Sequence, residues 1–140
     1  MTRLEEYEAL VERSRRFYES ATAQLERGFY DLAAFSLEQS LQLYLKAMLL
    51  KLGADYPRTH SVRRLLEMIH RLTGDAELQE AALRLSVELS LLEDAYITAR
   101  YVPKEFTKEE VERLKKAVDE VRSVVGRAVD RRGQEEDRGT

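Results

Sequence analysis

The chain has 140 residues, 44% of them hydrophobic and 35% charged, with a formal net charge of −3. That length and balance describe one globular domain able to bury its own core, not a disordered chain. The absence of cysteine removes disulfides and thiolate metal sites, no apolar run approaches the roughly 20 residues that span a bilayer, and the negative total excludes a surface that is basic all over while leaving a local basic patch open.

Helical spacing dominates, and no alternating β-branched run marks a strand. The first segment runs from about Arg3 to Arg27, with Leu4, Tyr7, Leu10, Val11, Phe17, Tyr18, Ala21 and Leu25 at three- and four-residue steps before Gly28 stops it. The second runs from Tyr30 or Asp31 to Leu52. It is apolar on more than one face and so reads as the central helix. Along it Glu38, Gln42 and Lys46 recur every four residues, which places them on one face. They read either as a charge ladder at the bundle surface or as a polar groove or dimer face.

After the loop GADYPRTH, a short third helix spans Ser61 to about Leu72, with Thr59 or His60 at its start and Val62, Leu65, Leu66 and Ile69 inward. Gly74 closes it and Asp75 caps a fourth helix, read as continuous from Ala76 to about Ala99. The fifth begins in FTKEEVERL, where Thr107 and Glu110 form a capping box, and carries the stripe Val111, Leu114, Ala117, Val118, Val121, Val124 and Val125. The sequence therefore predicts an all-α, up-and-down antiparallel four-helix bundle with one extra short helix over residues 1–131. A disordered polar tail is expected over residues 132–140.

Familiar catalytic motifs are missing: there is no P-loop, GxGxxG or HExxH, and two histidines cannot supply a convincing Ser-His-Asp set. Glu67 and His70 form one Glu-x-x-His pair without the second copy that a di-iron bundle requires, so no metal or other cofactor is expected. Arg58, His60, Arg63 and Arg64 gather positive charge within seven residues, a candidate phosphate patch. A histidine at a helix start can equally serve in a local hydrogen bond. Arg100 sits where a cation meets the negative end of a helix dipole. It is also suited to bidentate phosphate contact, with Tyr101 offering a stacking face and Pro103 ending the helix beside them.

Three blocks, DLAAFSLEQSLQLYLKAMLLKLG, THSVRRLL and LEDAYITARYVPKEFTKEEVERLKKAV, together resemble the HEPN domains, small all-helical domains of archaea and bacteria. Val102 separates Tyr101 from Pro103 where the family pattern often has Arg-Tyr-Pro. Ribonuclease members of the wider group carry an Arg followed, after four to six residues, by His; no histidine follows Arg100, and Arg64 with His70 fits the spacing only on the short third helix. The resemblance implies a cytoplasmic nucleotide- or RNA-associated accessory domain, paired as a homodimer and acting with a nucleotidyltransferase partner in a toxin–antitoxin or stress-response pair, away from membranes. Arg100 and Tyr101 would be its nucleotide contacts, supplemented by His60 and Arg58. The alternatives are a divergent metal-independent ribonuclease using His60 and Arg100, and a helical interaction scaffold without a ligand. A composition rich in Glu, Arg, Lys and Leu also suits a thermophile.

Overall fold

The first helix, α1 (Arg3–Glu26), starts where the Thr2 hydroxyl accepts the Glu5 N–H, and Glu5 and Glu6 complement the dipole of its first turn. A computed structural model describes residues 1–101 and 104–139 and contains six helices among them. Gly28, at φ 78°, makes the left-handed turn into α2 (Tyr30–Lys51). The two helices approach closely because serines face each other: Ser14 Oγ donates to the Ser40 carbonyl at 2.6 Å and Ser40 Oγ to the Ser14 carbonyl at 2.8 Å. As its all-round apolar pattern predicts, α2 is central. It packs against α1, α3, α5 and α6 and buries Leu37, Leu41, Leu45 and Leu49.

Gly53 (φ 83°) opens the loop after α2, which is tied to α1 by Arg3 donating to the Ala54 carbonyl and Tyr56 to Glu6. Ser61, one residue beyond the expected start, caps α3 (Val62–Thr73); its hydroxyl accepts the Arg64 N–H, and Val62, Leu65, Leu66 and Ile69 are buried. Gly74 ends α3 in the left-handed region and Asp75 caps the next helix, as expected.

Two helices differ from the lengths expected from the sequence. The expected single helix from Ala76 to Ala99 is broken at Leu85 into α4 (Ala76–Arg84) and α5 (Ser86–Arg100). Leu85 adopts φ −98°, ψ 18°, and the change of direction lets Leu78 and Ala81 face α3 and α6 while Leu89, Leu92 and Ala95 turn toward α2 and α6. The last helix, α6 (Lys108–Arg138), opens with the predicted capping box and buries the predicted stripe, extended by Ala128 and Val129. It then continues through the segment read as a polar tail, where Arg132 pairs with Glu135 and Glu136 one turn on. No helix is long and apolar enough to cross a membrane among the described residues.

Candidate functional site

The last turns of α5 place Tyr96 and Arg100 on the same side, four residues apart. Arg100 Nη1 donates to the Tyr96 hydroxyl at 2.9 Å, and its guanidinium carbon lies 5.4 Å from the ring centroid. His60 stacks on the same ring, with centroids 4.3 Å apart and planes at 19°, while Phe35 of α2 stacks at 6.3 Å. The three rings form a column that begins inside the bundle at half-buried Phe35 and ends at exposed His60. Residues from α2, the 53–61 loop and α5 thus converge beside the Arg100 guanidinium, which is held by Tyr96 and has no ion pair among the described residues.

Glu93 holds His60's segment against α5. Its carboxylate accepts from the Ser61 hydroxyl at 2.7 Å and from the Arg63 backbone N–H and guanidinium. Burial opposes its charge, but the donors Arg63 and Ser61 prevail and hold its carboxyl below the ordinary range. Arg63 is therefore committed to an ion pair and is not a free member of the basic patch. His60 is pushed below its ordinary value by burial and by the positive fields of Lys46 and Arg100, so its ring is mainly neutral at pH 7.

The α2 series continues this site inward. Lys46 Nζ lies 5.5 Å from the Tyr56 ring centroid and donates to Gln42 Oε1 at 3.0 Å. Gln42 Nε2 donates to Glu38 Oε1 at 2.6 Å, and Gln39 Nε2 donates to Glu38 Oε2 at 2.7 Å. Glu38 is 0% exposed and Gln42 3%. The run is a buried relay leading to a half-buried lysine, and not the surface ladder that spacing alone allows. Burial pushes the Glu38 carboxyl up to about 7, against the pull of Gln39, Gln42 and Lys46.

Tyr101 is 73% exposed, its N–H closing the last turn of α5 on the Ile97 carbonyl. Arg100 and Tyr101 line a cleft of about 870 Å³ with Tyr30, Asp31, Lys104 and Phe106. Arg100 therefore borders both the ring column and the cleft. Arg58 is exposed two residues before His60, and no ion pair or hydrogen bond joins it to the column. Pro103 and Val102 lie outside the described residues. Glu67 pairs with Arg71 on α3, and no group of metal-ligating side chains occurs among the described residues.

Tyr96, Phe35 and Glu93 complete the site, although their residue types alone do not mark them as site residues. The four-residue spacing of Tyr96 and Arg100 was a usable signal. Nothing local marks Glu93, whose partners lie 30 and 32 positions away. Chemically, the site offers a guanidinium with donors to spare, a neutral imidazole and exposed ring faces, a set suited to a phosphate beside a stacked base. The family model described as HEPN domain matches residues 7–128 of the chain. No curated protein matches it.

Proposed function

The chain belongs to the HEPN domain family, whose functions are nucleotide- and RNA-related, and from that membership we propose that it is a cytoplasmic RNA- or nucleotide-binding accessory protein. In this reading it pairs as a homodimer and serves a nucleotidyltransferase partner in a toxin–antitoxin or stress-response pair. The observation that carries the ligand assignment is the convergence of His60 and Arg100 on the Tyr96 ring. Arg100 takes the phosphate, while His60 and Tyr101 supply stacking faces for bases; Arg58 adds positive field from the same loop. Stacking on such faces contributes roughly 1–3 kcal/mol per base and tolerates sequence variation.

The same convergence favours a second reading, a metal-independent ribonuclease. A neutral His60 can accept a proton from a 2′-hydroxyl while Arg100 stabilises the charge developing on the phosphate. One experiment separates the readings: a fluorescent single-stranded RNA is incubated with the protein in EDTA and followed by anisotropy and by gel. Binding predicts intact RNA with a raised anisotropy, and affinity lowered about tenfold or more in Arg100→Ala. Cleavage abolished by His60→Ala would replace the accessory role with catalysis. Intact RNA with no change in anisotropy would remove RNA binding.

A further inference from the structure

Lys46 is half-buried and forms no ion pair among the described residues. Its ammonium meets Gln42 Oε1 at 3.0 Å and the Tyr56 ring, which leaves donors to spare. Taking a cation partly out of water without a carboxylate partner is unfavourable, and burial holds this ammonium below the ordinary lysine value. Its surroundings nevertheless fix where it stands. Gln42 is buried and spends its amide N–H on Glu38, so its carbonyl oxygen is the end that faces Lys46. Tyr56 is itself tied down, donating its hydroxyl to Glu6 at 2.7 Å. Arg100, held by Tyr96, is the other cation of the site without a carboxylate. His60 lies in the field of both: after burial, Lys46 and then Arg100 lower its affinity for a proton.

We infer that Lys46 and Arg100 together anchor a terminal phosphate, so that the ligand of this site is a nucleotide or an RNA end carrying a phosphomonoester. The inference rests on the RNA- or nucleotide-binding reading above and narrows it. Two observations favour an end over the interior of a strand. The first is charge. An internal phosphodiester carries a single negative charge, whereas a phosphomonoester carries about −1.5 to −2 at pH 7. Two cations that no carboxylate neutralises match the monoester. The other charged groups around them are already placed: Arg63 is paired with Glu93, and Glu38 is completely buried behind Gln42. The second observation is shape. The ring column is closed inward by half-buried Phe35 and has Tyr96 at its middle, so it presents its outer face at exposed His60. That face has room for one stacked base, which suits a terminal nucleotide. Tyr101, in the cleft that Arg100 also borders, is left for the neighbouring base.

The test titrates one short single-stranded RNA, made with a 5′-phosphate, with a 3′-phosphate or with hydroxyls at both ends, into the full chain in EDTA by calorimetry. Wild type is expected to bind one phosphorylated form at least about tenfold more tightly than the hydroxyl form. Lys46→Met keeps the apolar stem and drops the charge. It should lose most of that preference while binding the hydroxyl form as wild type does. Lys51→Met is the control, an exposed lysine of the same helix already 3.9 Å from Asp130, and should keep the preference. Equal affinity of wild type for phosphate and hydroxyl ends, a preference undiminished in Lys46→Met, or one equally lost in Lys51→Met would each overturn the inference. Equal binding of all three forms would still uphold the RNA reading. A second measurement needs neither RNA nor a folded variant. The chain has six lysines, so the side-chain signal of Lys46 can be resolved by carbon–proton NMR of the wild type. Inorganic phosphate is expected to move it more than that of Lys51. Should no RNA bind, a shifted Lys46 signal would keep the anion site and remove the RNA reading, and an unmoved one would overturn both.

Discussion

Glu38 gives the sharpest quantitative handle on the protein. Its side chain is completely buried and is met by the amide donors of Gln39 and Gln42 and by no cation directly. In the fold it titrates near 7, against 4.5 for an ordinary glutamate. The folded state thus holds the proton more tightly than the unfolded chain. Below about pH 4.5 both states are protonated and the buried carboxyl imposes little penalty. Between 4.5 and 7 the unfolded chain ionises first and stability falls. Above 7 both are ionised and the full penalty of a buried carboxylate is present, about 3 kcal/mol at 1.36 kcal/mol per pH unit. Glu38→Gln removes the charge but gives up one acceptor, so that one of the two amide donors loses its partner at about 1–2 kcal/mol independent of pH. The variant should therefore be less stable than wild type at pH 4.5 and more stable at pH 8.5. Urea unfolding of both proteins across that range measures the difference. Taking the difference also cancels His60, whose lowered value makes stability rise with pH in part of the same window. A wild-type-minus-variant difference that stays flat from pH 4.5 to 8.5 would refute the argument.

Two further outcomes follow from local geometry. Thr107→Ala removes one half of the capping box at the start of α6, where the Thr107 hydroxyl accepts the Glu110 N–H at 3.1 Å and Glu110 accepts the Thr107 N–H at 2.9 Å; thermal unfolding should report a loss of about 1 kcal/mol, and an unchanged melting temperature would count against the cap. Gly126 lies inside α6, where alanine would ordinarily add about 1 kcal/mol, but its added Cβ would stand 3.2 Å from the Tyr44 hydroxyl, which donates to the Arg122 carbonyl. Gly126→Ala should therefore stabilise a Tyr44→Phe background by more than it stabilises wild type, and equal gains in both would show that the hydroxyl moves aside freely.

Most of the helical framework could be read in the sequence because its signals are local. Gly28, Gly53, Gly74, Asp75 and the Thr107–Glu110 box each act within a few residues of themselves, and the stripe of α6 repeats with the helix. The break at Leu85 escaped because no glycine or proline marks it; it arises from two packing directions imposed by α2 and α6. The continuation of α6 to Arg138 escaped because a segment without apolar residues resembles a tail until its one-turn ion pairs are counted. The site was half legible. Arg100, Tyr101 and His60 stand out as residue types, but the ring that joins them and the carboxylate that anchors the loop depend on contacts across 30 to 36 positions. For Glu38, Gln42 and Lys46 the spacing identified a shared face correctly and could not say that the face was inside.

The three-residue connection between α1 and α2 bears on how the chain assembles. These helices are each other's principal neighbours and are joined through Gly28, with Ser14 and Ser40 locking them 26 positions apart. Their contact closes a short loop, the least entropically demanding of the long-helix pairings, and can form before distant segments are in place. α6, which covers α2 from the far end of the chain, arrives across a much longer closure. An early α1–α2 hairpin then offers the apolar flank of α2 as the surface on which α3, α5 and α6 condense. Pulsed amide labelling during refolding would find α1 and α2 protected ahead of α6 if this order holds, and protected together with it if it does not.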